Sequence, residues 1–234
     1  MRDQVLEKVR NTFHLRHAHG VVDQSRGAGA LFKGDFSSSS TAGAEFAGSR
    51  LGLGVMQDLN GEVVSVKGTT WRVPVNGVPI EVSPSEGIAF GIAAHGGREH
   101  QIEIPIGSDM TGILSAIDTY LGEHHVDHED VVCAIEIAGS FTDVLLRTEA
   151  PATFPNETLS EVLEHETRFE FEQWRGTLVG FRFPDENDGQ TIPGLHFHAI
   201  SFDHNSGGHV HKVVTADVVA TLWVDELHPV HEHQ

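Results

Sequence analysis

The feature that most limits how this chain can fold is a succession of short β-patterned runs punctuated by glycine, with helical periodicity confined to isolated stretches. Residues 62–73, Glu-Val-Val-Ser-Val-Lys-Gly-Thr-Thr-Trp-Arg-Val, read as two strands around a Lys67-Gly68 turn. Further strand patterns fall at Ile80–Val82, Ile88–Ala93 and Gln101–Ile106. Val131–Ala138 and Phe141–Arg147 read as a hairpin around Gly139-Ser140. Strands resume at Phe169–Phe171, Gly176–Phe183, Leu195–Phe202, Gly208–Val214 and Asp217–Val224. The period changes over residues 108–122, where Met110, Ile113, Leu114, Ile117 and Leu121 recur at three- and four-residue steps behind a Ser108-Asp109 cap. Leu159–His165 reads as a second, shorter helix and Met1–Arg10 as another.

Strands outnumber helices, which predicts an α+β fold of mixed, mostly antiparallel sheets with a few helices. The alternation of strand and helix blocks suggests two similar tandem halves. Residues 1–50 form an N-terminal segment whose Gly-, Ala- and Ser-rich part, 17–50, reads as a flexible arm or a loop-rich start. Residues 51–150 then form an α+β half, and residues 151–234 a β-rich half.

Charge and cysteine content narrow the function. Acidic residues outnumber basic ones 34 to 15, a formal charge of −19. Such a surface repels phosphate backbones and anionic lipid, so neither nucleic acid nor membrane is an expected partner. No apolar run approaches the roughly 20 residues that span a bilayer, and residues 1–19 lack the apolar core of a signal peptide, so a cytoplasmic protein is expected. Cys133 is the single cysteine and sits in an apolar run, where it reads as a small buried hydrophobe. An anionic substrate would need a local cation to reverse the mean field.

That cation has a candidate holder. In a strand, residues two apart share a face, so His196 and His198 can address one ion while Leu195, Phe197 and Ala199 face the core. Asp203-His204-Asn205-Ser206-Gly207-Gly208 is a turn by composition, and it returns the chain so that His209 lies beside the pair. Three imidazoles from a hairpin give the three-ligand arrangement of a catalytic zinc, with an open position for substrate or water. With 17 histidines in the chain, a His-x-His pair also arises by chance, as His231-x-His233 shows.

The run from Phe169 to Val210, with Gly176-Thr177-Leu178-Val179-Gly180-Phe181, Pro193-Gly194, His196-x-His198 and Gly207-Gly208-His209, resembles α-acetolactate decarboxylase. The resemblance extends to Leu59-Asn60-Gly61-Glu62-Val63-Val64 and to Ala134–Phe141 followed by Arg147, covering about residues 50 to 225. It implies that His196, His198 and His209 bind one zinc ion and that Glu62 and Arg147 line the site as catalytic residues. The implied reaction is release of carbon dioxide from acetolactate, a small anionic 2-hydroxy-3-oxo acid, to give acetoin. A homodimer is an open alternative to a monomer. The family's tail returns an acidic residue to the metal pocket, and here Glu232 or a nearby His is the candidate substitute. Two rival readings stand beside this one. One is a divergent member using the same zinc for another lyase or isomerase reaction, and the other is a non-catalytic zinc- or ligand-binding module.

Overall fold

The strand-forming runs are gathered into two sheets. A computed structural model describes residues 22–25, 27–38, 40–127, 131–153, 157–184 and 194–226. The expected helix over Met1–Arg10 and the His-rich end with Glu232 lie outside these residues.

The first sheet has seven strands: β1 (Val22–Gln24), β2 (Ser40–Thr41), β3 (Leu51–Met56), β4 (Glu62–Val66), β5 (Thr69–Val73), β6 (Ile80–Glu81) and β7 (Gly87–Ala94). They run in the order β1-β7-β3-β4-β5-β6, with β2 also on β7. The β4–β5 hairpin turns at Lys67 and Gly68, both at positive φ, as the Lys-Gly dipeptide predicts. The loop-rich start carries β1 and β2 together with two short helices, α1 (Gly29–Phe32) and α2 (Ala42–Phe46).

The second sheet has five strands: β8 (His100–Ile102), β9 (Val131–Thr148), β10 (Thr167–Phe183), β11 (Gly194–Ser201) and β12 (Gly207–Glu226). Their order is β11-β10-β9-β12-β8, and a further pairing of β11 with β12 closes β9 to β12 on themselves. All pairings in both sheets are antiparallel.

Three breaks expected from the sequence are absent. Gly139-Ser140 is not a turn, because β9 runs unbroken from Val131 to Thr148 and pairs along its length with β10. Gly139 serves close approach instead: a Cβ there would lie 2.1 Å from the Asp217 carbonyl oxygen of β12. The polar stretch at Glu172–Arg175 likewise stays within β10, and β12 continues through Thr215–Val218 with shifts of register.

Layering explains the apolar pattern. One core cluster lies between the sheets, with Leu53, Val64 and Val73 of the first against Val179, Phe181, Ile200 and Trp223 of the second. The outer face of the second sheet is covered by α3 (Met110–Glu123), whose Ile113, Ile117 and Leu121 meet Cys133, Ile135 and Leu222. β9 is therefore buried on both faces, and this is why Val131–Ile137 reads as an apolar run with little alternation. Asp109 caps α3 by accepting from the Gly112 N–H at 2.9 Å. A short helix, α4 (Leu159–Leu163), begins with a Thr158–Glu161 capping box. Among the described residues, no helix is long and apolar enough to cross a membrane.

Candidate active site

The site forms where the β11–β12 hairpin meets β9 and the start of β4. Ser201 shapes the hairpin turn: its Oγ donates to Asp203 Oδ1 at 2.7 Å and accepts from the N–H groups of Asn205 and Ser206 at 3.1 and 3.0 Å. This turn sets the register in which His198 faces His209 across the hairpin, while His209 faces Arg147 of β9 on its other side. Residues directly opposite on neighbouring strands project to the same face, so the three side chains stand abreast. His196, two residues before His198, joins them. Its ring centroid lies 4.5 Å from that of His209 and 5.2 Å from that of His198.

The three histidines fit a cation. One ring nitrogen from each lies within 4.8 Å of the other two, the one such His triad among the described residues. Burial is the main cause favouring the neutral form of all three imidazoles, with Arg147 acting in the same direction on each and neighbouring imidazoles on His196 and His209; His198 is pushed down to about 3 although its hydrogen bond to Val63 opposes the shift. His198 Nδ1 lies 2.8 Å from the Val63 carbonyl oxygen of β4, an acceptor only, so Nδ1 carries the proton and Nε2 keeps its lone pair. His209 Nδ1 is buried with no hydrogen-bond partner among the described residues. Clustered neutral imidazoles with unshared lone pairs suit a divalent ion better than they suit one another.

Glu62 arrives from the first sheet. Gly61 holds φ +110 at a point where a Cβ would sit 2.7 Å from the Val73 carbonyl oxygen, and it turns the chain so that β4 begins with Glu62 pointing inward. Glu62 is 4% exposed, and its Oε2 lies 3.3 Å from His198 Nε2. Burial raises its carboxyl above the usual range, against the pull of Arg147.

Arg147 is ringed by carboxyl groups. Its Nη1 lies 3.2 Å from Glu149 and 3.8 Å from Glu62, and its Nε lies 3.4 Å from Glu166. The Nε contact is electrostatic, since that N–H has no aligned acceptor. Glu166 also meets Arg168 and His211, at 2.5 and 3.2 Å. Burial opposes its charge, but the Arg168 hydrogen bond and the charges of Arg147 and His211 outweigh that and lower its pKa.

All five residues singled out in the sequence thus come together. The sequence reading missed Glu149 and Glu166. Glu149 carried one signal, its place two residues beyond Arg147 in an extended run. Glu166 carried none until β10 was known to pair with β9. Cys133 is buried and far from reactive, its thiol pushed up to about 12 by burial.

The family model "Alpha-acetolactate decarboxylase" matches residues 24–231. A Methylococcus capsulatus alpha-acetolactate decarboxylase is 30% identical over 199 residues, covering 85% of this chain and 75% of that protein. A Klebsiella aerogenes alpha-acetolactate decarboxylase is 26% identical over 198 residues, with 85% and 74% covered. Among solved structures, alpha-acetolactate decarboxylase from Bacillus subtilis strain 168 superposes with a TM-score of 0.76 at 23% identity, covering 88% of this chain and 85% of that one. The enzyme from Bacillus subtilis subspecies spizizenii gives a TM-score of 0.77 at 24% identity, covering 87% and 85%. Those structures share the fold. With most of its length matched by the family model, this chain belongs to the alpha-acetolactate decarboxylase family.

Proposed function

We propose that this protein is a zinc-dependent carbon–carbon lyase that converts acetolactate to acetoin and carbon dioxide. The observation that carries the proposal is the pairing of three neutral imidazoles with a buried carboxyl and a guanidinium at one point between the sheets. The reaction breaks the bond from the carboxylate carbon to the hydroxyl-bearing carbon. The released electron pair moves onto the adjacent keto oxygen, and a proton must then reach carbon.

His196, His198 and His209 are the residues that would hold the ion, which when bound supplies positive charge beside the hydroxyl and keto oxygens. Glu62 is the acid assigned to the proton. Its burial raises its pKa above the usual carboxylate range, which eases its protonation, and its place against His198 puts it at the rim of the metal position. Arg147 provides the local cation that an anionic substrate needs in a chain of net charge −19. Its shortest contacts with the three carboxyl groups run through Nη1 and Nε, and Nη2 is the donor we assign to the substrate carboxylate.

A non-catalytic zinc module would have little use for a buried acid and a buried arginine beside an ion with three protein ligands. The deciding experiment is acetoin formation from racemic acetolactate by purified protein, with metal content measured on the same sample. Acetoin produced in proportion to bound zinc supports the proposal. Zinc-loaded protein that leaves acetolactate untouched would point to another lyase or isomerase reaction.

A further inference from the structure

The scheme above uses Glu62 and Arg147, yet a second carboxyl group is buried beside them and has no task in it. Glu149 directly follows β9 and is 3% exposed. It lies two positions beyond Arg147, on the same side of the extended chain. Its Oε2 is 3.2 Å from Arg147 Nη1, and its carboxyl hydrogen-bonds that of Glu62.

Two things make this arrangement unusual. First, ionised carboxylates have only acceptors, so a hydrogen bond between two of them requires one to carry a proton. Burial raises both carboxyl groups above the usual carboxylate range, so the pair holds a shared proton through which one carboxyl donates to the other. Second, the other contacts of Glu62 cannot fix its orientation. His198 Nε2, at 3.3 Å, has no proton to give while Nδ1 donates to Val63, and Arg147 Nη1, at 3.8 Å, is too far for a hydrogen bond. A side chain needed only to fill this space would be better apolar, because a buried acid costs free energy that packing alone does not return.

We propose that Glu149 is a positioning residue: by hydrogen-bonding Glu62 and pairing with the same Arg147 Nη1 that Glu62 approaches, it holds the acid and the guanidinium in one relative placement against the histidine cluster. The role rests on the reaction assigned to Glu62 above. It makes the end of β9 part of the site, with Arg147 aimed at substrate and Glu149 behind it, bracing the acid that comes from the other sheet.

The test compares Glu149→Ala and Glu149→Gln in the zinc-loaded full chain, by initial rates and product chirality with racemic acetolactate, metal content, melting temperature and crystal structures. Glutamine can donate to Glu62 and accept from Arg147, whereas alanine can do neither. For Glu149→Ala we expect kcat to fall about 10²-fold, the scale of a misplacement near 1 Å, with KM little changed and zinc retained. Its crystal structure should show Glu62 turned away from His198 or spread over several orientations. Glu149→Gln should recover most of the lost turnover and return Glu62 to its place. The role is overturned if Glu62 keeps its position in Glu149→Ala. It is equally overturned if both variants lose activity alike in step with melting temperature, which would mark Glu149 as part of the core only. A parent that makes no acetoin would defeat the assigned reaction instead, and the two crystal structures would still decide whether Glu149 places Glu62.

Discussion

The two sheets contribute to the site on different terms. The second sheet supplies His196, His198, His209 and Arg147 from strands that neighbour one another, so their spacing is set by hydrogen-bonded register. Among the described residues, the first sheet supplies Glu62 and the Val63 carbonyl, and both reach the histidines across a packing interface. Register tolerates little variation, because a slip of one residue turns every side chain to the other face. Packing between sheets adjusts continuously and depends on the apolar cluster that joins them. Metal binding should therefore belong to the second sheet alone, and proton delivery to the contact between the two.

This contrast can be broken most severely at His198. His198→Ala removes one of the three proposed ligands and the ring that meets Val63, so bound zinc should fall by about one equivalent and turnover by at least about 10³-fold, the scale of losing a metal's charge stabilisation. Metal analysis of the purified variant checks this, and full zinc content would remove His198 from the ligand set. A smaller effect is expected from the other sheet. Glu62→Gln should keep zinc near the parental level while turnover falls about 10²–10⁴-fold and product chirality erodes. Zinc lost together with activity would mean that Glu62 is a ligand, and that the division between the sheets is wrong.

The smallest effect tests whether the first sheet has a titration of its own, away from the metal. Glu45 on α2 is buried near Ser25, Ser40 and Asp23, and burial is the main cause raising its pKa from 4.5 to about 7. The folded state thus holds a proton that the unfolded chain releases near pH 4.5. Stability is full below that pH, declines as pH rises through 7, and is lower by at most about 3 kcal/mol above it. Glu45→Gln should remove this decline, raising the melting temperature at pH 8 but not at pH 4, with zinc content and turnover unchanged. Parallel pH profiles for the two proteins would show that Glu45 titrates normally.

Much of the site was legible because its rules are local. Alternation along one strand put His196 and His198 on one face, and the composition of 203–208 returned the chain at His209. The long strands were harder to read. Gly139 resembles a turn residue unless β12 is known to press its backbone against that position, and Glu172–Arg175 resembles a loop because that part of β10 is largely solvent-facing. Glu166 was invisible, and Glu149 nearly so, for a related reason. Each matters only through Arg147, whose burial among carboxyl groups follows from pairings between distant strands and the approach of the other sheet.

The hairpin that carries the histidines has a thermodynamic consequence beyond catalysis. Val63 and His198 are 135 residues apart, so that contact exists only once the two sheets have docked. His196, His198 and His209, by contrast, sit on one short loop whose closure costs little entropy even in a denatured chain. An ion with some affinity for that unfolded loop lowers the free energy of both states, so part of its binding is invisible to the folding equilibrium. Zinc added to this protein should then raise the unfolding midpoint by less than its affinity for the native site alone would give. Denaturation by a chelator should be correspondingly mild, since the apolar cluster that joins the sheets is built without the ion.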